Sequence, residues 1–409
     1  MDINKTIDLL YSGTDITKKI LSLPNLLSNT EYCSVYIGKG SFGRVNVNKV
    51  PSSAEIKLDN VENKITIDSL AAKTININDA SISYFIINLV YYNKKERLKK
   101  TRTIIDKTNI FDLKKVKKLS TNDAMINMFF HENGLGEGMI AVFISKLFTE
   151  GITPHVTLCC GFSDCKDHII IMYENLSCKT YSDRYVSNFS QHARFFQYKK
   201  LLIDEELINY CLISILHTIS VIQKKFKMFH TDIHIGNIFI KNTDDKLYFN
   251  GMNMNKIDYI EYIYRDGSLF LPYKKYKFIL KVGDFGLSAI QHKDIIIINH
   301  DSNFCDRKKM IKRDYPNYPY DYDNKFPDYF LILRDLLMEF GGISELLYSI
   351  HRKIPIMNKG IRWDFMGGMD NLLDKKMLIT IDDIFNFTEF DKYRIKPEGV
   401  ILQVGKYLR

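Results

Sequence analysis

Three stretches of this chain hold side chains that could do chemistry, and their spacing says which. His230-Thr231-Asp232-Ile233-His234-Ile235-Gly236-Asn237 leads into the apolar run Ile238-Phe239-Ile240. Asp232 is a carboxylate able to orient a hydroxyl and accept its proton, and Asn237, five residues on, offers an oxygen to a divalent cation. A loop that short can set the two on opposite sides of a transferring phosphate, with His230 as a structural anchor. Lys281-Val282-Gly283-Asp284-Phe285-Gly286-Leu287-Ser288 ends an apolar strand. A carboxylate freed there by the following Phe-Gly can reach into a cleft and hold magnesium between phosphates. The third stretch is Ile37-Gly38-Lys39-Gly40-Ser41-Phe42-Gly43-Arg44-Val45. Its three glycines let backbone amides approach phosphate oxygens with no Cβ in the way. Phe42 can cap those phosphates from solvent, and Val45 can pack on a bound base.

Elements must position these groups. Residues 31–78 alternate, are rich in β-branched side chains and are broken by Gly and Ser-Ser, which predicts strands. The glycine-rich loop therefore lies between two strands, whereas a dinucleotide-binding turn would open a helix. Residues 139–148 read as a helix, and 157–173 as two strands around a turn at Ser163-Asp164. From 205 to 226, apolar residues at Leu207, Tyr210, Cys211, Ile213, Leu216, Ile219 and Ile222 follow a helical period with a broad buried face. The remainder reads as mostly helical. Strands first and helices later give an α+β chain, a small antiparallel sheet followed by a larger helical part.

Composition sets the outer limits. The chain has 409 residues, 45% hydrophobic and 26% charged, an ordinary globular balance that excludes wholesale disorder. Seven cysteines at irregular spacing, with no C-x-x-C, argue for free thiols and against a disulfide framework or a four-cysteine zinc site. The amino terminus is not a secretory signal, and no uninterrupted apolar run reaches the ~18 residues of a membrane span. A soluble protein is the expectation. The net charge of +9 is concentrated between Asn93 and Leu119, where eleven basic residues stand against three acidic ones. That segment, Lys94 to Lys118, is either a solvated insertion or a docking surface for an anionic partner: nucleic acid, acidic protein or a membrane surface.

The three motifs, in this order, resemble the eukaryotic-type protein kinases over most of the chain, from about Glu31 to Phe340. The resemblance implies a bilobal kinase fold with ATP in the cleft, Asp232 as base, and Asn237 and Asp284 holding magnesium. Ile169-Ile170-Ile171-Met172-Tyr173-Glu174-Asn175-Leu176 looks like the fifth strand running into the hinge, with Tyr173 as gatekeeper and the backbone of Glu174 to Leu176 reading adenine. It also divides the chain into an extension at 1–30, an N-lobe at 31–175 with a basic insertion at 84–131, and a C-lobe at 176–409 with a hairpin-like insertion at 242–277. Two positions depart from the family. Thr231 replaces the usual Arg, and His234, a titratable ring, replaces the usual Lys. The resulting H-x-D-x-H-x-G-N pattern is shared with small-molecule kinases of the same fold, such as aminoglycoside and choline kinases. Those lack a clear G-x-G-x-F-G loop and a D-F-G followed by Leu-Ser, which favours protein as substrate. No A-P-E element ends the segment after Asp284.

Such a kinase needs a lysine on the third strand to hold phosphates and a glutamate on the next helix to hold that lysine. Lys73, in Leu70-Ala71-Ala72-Lys73, best matches the family's V-A-I-K, with Lys64 and Lys57 behind it. Glu137 is the choice for the glutamate, with Glu132 as alternative. Phe326-Pro327-Asp328-Tyr329-Phe330-Leu331 resembles the central helix of the divergent serine/threonine kinases of large nucleocytoplasmic DNA viruses such as iridoviruses and poxviruses, where an Asp, here Asp328, braces the catalytic loop. That implies a host-cytoplasmic or virion enzyme acting on Ser/Thr of proteins. A pseudokinase scaffold and a small-molecule kinase are the alternatives.

Overall fold

A computed structural model describes residues 35–40, 43–49, 55–57, 64–66, 69–76, 85–91, 100–105, 124–130, 133–164, 168–176, 178–179, 185–186, 204–226, 228–230, 232–243, 247–276, 278–286, 288–292, 295–299, 328–354 and 379–406. Strands come first, in keeping with the β-branched alternation of the sequence: β1 (Val35–Gly40), β2 (Gly43–Lys49), β3 (Glu55–Lys57), β4 (Lys64–Thr66), β5 (Ser69–Asn76), β6 (Phe85–Tyr91), β7 (Lys100–Ile105) and β8 (Ala124–Phe130). Helix α1 (Asn133–Thr149) follows, then β9 (Cys159–Asp164) and β10 (His168–Glu174). β1, β2, β5, β10 and β9 form one antiparallel sheet in that order, and β3 pairs with β4 alone. Helix α1 buries Ile140, Ala141, Phe143, Ile144, Leu147 and Phe148, and Ser145 Oγ accepts the amide of Cys159 at 2.8 Å, so the helix is tied to β9.

The chain continues through one short strand pair and one long helix: β11 (Cys178–Lys179) with β12 (Tyr185–Val186), then α2 (Glu205–Phe226). By length and composition α2 could cross a membrane, but 83% of its apolar window is buried inside this fold. After it come β13 (Met228–Phe229), β14 (Ile238–Asn242), β15 (Tyr248–Phe249), β16 (Met252–Asn253), β17 (Tyr259–Tyr264), β18 (Gly267–Pro272), β19 (Phe278–Val282), β20 (Ala289–His292) and β21 (Ile295–Asn299). Helices α3 (Asp328–Phe340), α4 (Glu345–Lys353) and α5 (Ile381–Phe385) precede β22 (Ile401–Val404). Helices and small, largely antiparallel sheets thus make an α+β chain. A second sheet runs β13-β20-β21-β8-β6-β7, its one parallel pair being β21 with β8.

Four readings of the sequence change. Helix α1 begins at Asn133, not at 139, so Glu137 lies inside it; Gly134, Gly136 and Gly138 disfavour a helix locally, and packing overrides them. Ser163 and Asp164 are not a turn: they pair with Ile170 and Ile169 inside the β9–β10 ladder, and the strands reverse only after them. The part after residue 226 is not mostly helical, because 238–299 is built from strand pairs. The hairpin expected at 242–277 exists as β17–β18, but it is core and no appendage. Ile260, Tyr262, Leu269 and Leu271 are buried, and β22 adds to it in parallel. Of the basic segment 94–118, only β7 belongs to the described residues; the extension at 1–30 and Ser302, a hydroxyl after Asp284 of the kind that accepts an activating phosphate, lie outside them.

Buried polar contacts join α2 to this hairpin. Tyr262 Oη lies 2.7 Å from Ser214 Oγ and 3.0 Å from His155 Nε2, and His217 Nε2 lies 2.8 Å from the Ile263 carbonyl. Cys159 and Cys211 are buried thiols without disulfides.

Candidate functional site

The site is assembled by β5, α1 and the residues after β19. Lys73 is central on β5, opposite Ile171 of β10 and Val45 of β2. Its ammonium donates to both Glu137 oxygens, at 2.9 and 2.8 Å, and to Asp284 Oδ1 at 3.0 Å. Glu137 also accepts the Tyr173 hydroxyl at 2.8 Å. Burial alone would lower the Lys73 ammonium, but the Asp284 and Glu137 carboxylates outweigh it and raise it above an ordinary lysine. Burial keeps Glu137 above the usual carboxyl value despite the opposing Lys73. Burial pushes Asp284 the same way, and there Lys73 wins and holds it below. Lys64 and Lys57, the fallbacks, are register partners of each other in β3–β4, a two-stranded sheet separate from the one that carries Lys73. Glu132 lies outside the described residues.

Asp284 and α1 are brought together by stitching on both sides of β19. Val156 bridges Val282 in parallel, the Thr157 amide donates to the Val282 carbonyl at 3.0 Å, and the Val282 amide donates to the His155 carbonyl at 2.9 Å. Gly283 has no room for a side chain: a Cβ there would meet Thr157 Cγ2 at 2.6 Å and Phe239 at 2.9 Å. Its amide donates to the Asn237 carbonyl at 3.1 Å, and its carbonyl sits 2.9 Å from His230 Nε2. Asp284 itself has φ +59, a left-handed backbone that costs a non-glycine residue ~1–3 kcal/mol and persists only where its surroundings impose it. The residues around Gly283 and Lys73 impose it here.

The loop at 230–237 is fixed from below. Asp328 Oδ2, on α3, accepts the His230 amide at 2.8 Å and Gln223 Nε2 at 3.4 Å. Ser288 Oγ donates to the His230 carbonyl at 3.2 Å and is fully buried, and the His230 ring packs on Phe285. Asn237 Nδ2 donates to the Asp232 carbonyl at 2.9 Å, which turns its amide oxygen the other way, free in type for a cation. His234 Nδ1 accepts the Gly236 amide at 3.0 Å, so the neutral ring carries its proton on Nε2, 4.0 Å from Asp232 Oδ2. Thr231 lies outside the described residues.

In the glycine-rich stretch, Gly40 pairs with Gly43, Lys39 with Arg44 and Gly38 with Val45, while Ile37 takes up a register shift. Ser41 and Phe42 lie outside the described residues. Glu174 and Leu176 are buried. The Glu174 amide donates to the Leu158 carbonyl at 2.9 Å, and its carboxylate takes the Leu158 amide at 2.9 Å and Lys281 Nζ at 2.5 Å. Its side chain is therefore committed to the protein, and only backbone could serve a ligand there. Lys281, fully buried, also donates to the Val156 carbonyl at 3.1 Å and lies over the Phe148 ring.

Chemically, Lys73 offers a cation to phosphate, while Asp284 and Asn237 offer the hard oxygens that suit magnesium. The donor set therefore fits a magnesium–nucleotide. Sequence reasoning missed the Lys281–Glu174 pair and the Tyr173–Glu137 bond. A lysine inside the apolar run Phe278-Ile279-Leu280-Lys281-Val282 was the signal for the first, since such a lysine needs a buried partner. No protein-family model matches the chain, and no curated protein sequence matches it.

Proposed function

We propose that this chain is an ATP- and magnesium-dependent protein kinase of bilobal kinase-like fold, transferring the γ-phosphoryl group to Ser/Thr hydroxyls. One observation carries the reading. Lys73 contacts Glu137 and Asp284, residues 64 and 211 positions away, and the backbone beside Asp284 is bonded to His230 and Asn237. Lys73, Glu137 and the two loops that carry Asp284 and Asp232 thus meet in one place, with complementary charges on Lys73, Glu137 and Asp284. In this reading the cleft lies between the β1–β2–β5–β10–β9 sheet and the 230–237 loop. Lys73 orients the phosphates, steadied by Glu137. Asp232 orients the attacking hydroxyl and accepts its proton, and His234 stands beside it. Asn237 and Asp284 would hold magnesium, which when bound neutralises charge on the phosphates.

The described strands after Asp284, β20 and β21, are built into a sheet. β20 pairs with β13, which directly precedes His230, and β21 pairs with β8, which leads into α1. With Thr231 in place of an arginine, no cation stands beside Asp232 in the sequence to receive an activating phosphate. The ladder supplies order to that segment instead, so the proposed enzyme works without phosphorylation there. Lys94 to Lys118 remains the candidate docking surface for an anionic partner, which a steep loss of binding with added salt would reveal.

The test is incubation with labelled ATP, magnesium and mixed basic and acidic protein substrates, with phosphoamino-acid analysis and an Asp284→Asn control. Label on Ser/Thr, lost in the control, is expected. Label on a metabolite and none on protein identifies a small-molecule kinase. Nucleotide binding with no transfer identifies a pseudokinase scaffold.

A further inference from the structure

We infer that Tyr173 is a positioning residue, holding Glu137 and through it the Lys73 ammonium; the inference rests on the kinase reading of the site. Glu137 is fully buried, and its carboxylate has two donors from adjacent strands: Lys73 on β5 and Tyr173 on β10. The register sets Lys73 opposite Ile171 and Ala71 opposite Tyr173. Period-two alternation then puts Lys73 and Tyr173 on the same face of the sheet, where α1 docks.

The two donors differ in what else is asked of them. Lys73 is shared, since it also reaches Asp284 Oδ1 at 3.0 Å. A bound phosphate would claim Lys73, and a cation would claim Asp284. Glu137 would then be left, deep in the protein, with a partner drawn elsewhere, and a buried carboxylate without a donor is strongly disfavoured. Tyr173 is not drawn away. Burial, reinforced by the nearby Glu137 charge, keeps its hydroxyl protonated and therefore donating. It anchors Glu137 Oε1 in every state of the lysine, which keeps α1 against β5 while Lys73 turns to the nucleotide.

The experiment uses the full chain with Tyr173→Phe, Tyr173→Gln, Glu137→Ala and the Tyr173→Phe/Glu137→Ala double variant. Magnesium-ATP binding, KM, kcat and the thermal midpoint without nucleotide are read for each. Tyr173→Phe is expected to raise the dissociation constant and KM for ATP roughly tenfold, the loss of one buried hydrogen bond, with kcat changed much less. Tyr173→Gln, which returns a donor, recovers most of the affinity. In the Glu137→Ala background Tyr173→Phe adds nothing, in affinity or in thermal midpoint, because the coupling has already gone. Unchanged KM in Tyr173→Phe, or an equal effect with and without Glu137, overturns the inference. If the wild-type chain binds no nucleotide, the kinase reading fails, and the thermal cycle still decides: coupling keeps Tyr173 as the holder of Glu137, and additivity removes it.

Discussion

Lys73, Glu137 and Asp284 meet at 2.8 to 3.0 Å, with the Lys73 and Glu137 side chains 10% and 1% exposed and that of Asp284, at the edge of the cluster, 39% exposed. Asp232 and His234 stand 4.0 Å apart, and their side chains are 36% and 43% exposed. One half of the proposed site is a buried ion pair, Lys73 with Glu137, that reaches out to pair the more exposed Asp284; the other half is exposed and holds no ion pair shorter than 4.0 Å between its two side chains. Charges in a poorly hydrated interior act strongly on each other, whereas an exposed pair is screened by water and salt. The difference teaches that the Lys73–Glu137–Asp284 half, which handles phosphate in the proposed kinase, is organised before any ligand arrives. In the proposed kinase the Asp232–His234 half would gain its last contacts from the substrate, since catalytic contacts often tighten only once a site is filled.

The comparison breaks most sharply by removing charges. Asp284→Ala and Lys73→Met are expected to lower transfer on the order of a thousandfold, with weaker magnesium-ATP binding measured directly. Asp232→Ala should lower kcat by about 10²–10⁴ and leave nucleotide binding near wild type. If Asp232→Ala instead weakened nucleotide binding as much as Asp284→Ala, the two halves would not be separate.

The supporting frame should prove costly to disturb. Lys281→Met strands the buried Glu174 carboxylate and should destabilise the fold by about 3–5 kcal/mol in denaturant titration. Asp328→Ala leaves the buried His230 amide unpaired and should cost about 1–3 kcal/mol. Its effect on kcat should exceed that on ATP affinity, because Asp328 accepts the His230 amide at the start of the 230–237 loop.

Acid gives a gentler probe. Burial holds His155 down to about 3 and His217 to about 4, so both rings are neutral in the folded chain. An unfolded histidine binds its proton near 6.5, so the unfolded chain takes up protons that the folded chain refuses. Stability is therefore whole above about pH 6.5 and falls as pH drops toward about 4, by up to ~1.4 kcal/mol per pH unit per ring. Asp284, held below the usual carboxyl value, favours folding above the unfolded carboxyl range and loses that contribution only as pH falls below it. A denaturant midpoint that stays flat between pH 7 and 4.5 would remove the neutral pair. The smallest effects should come from Lys64→Met, which should leave KM for ATP unchanged, and from phosphatase treatment, which should leave activity unchanged. Silencing by phosphatase, restored by an acidic residue at Ser302, would overturn the ladder as the source of order.

How much could be read in the sequence follows from how local each signal is. Glycines at 38, 40 and 43, and the Asp232 to Asn237 spacing, lie within a few residues of each other, so loop chemistry was visible there. Lys73 was picked from its small apolar neighbours, and the structure sets it beside Glu137. The start of α1 was hidden because three glycines argue against the helix that packing enforces. The hairpin of β17 and β18 reads as an appendage in the sequence because its Tyr-rich alternation says strand without saying what covers it. Tyr173 to Glu137 and Lys281 to Glu174 depend on register between distant strands, which no local pattern encodes.

β22 lies beside β17 in parallel, from Ile401 against Tyr259 to Val404 against Tyr262. Parallel strands cannot be joined by a tight turn, and here α3, α4 and α5 intervene. During translation, therefore, β17 and β18 leave the ribosome well before the strand that covers them. Until it arrives, β17 is a bare edge of backbone donors and acceptors, the kind of surface that recruits the wrong strand or another nascent chain. Chains stopped between β18 and β22 should need a chaperone to stay in solution, and the pace of synthesis across that interval should govern the yield of folded protein.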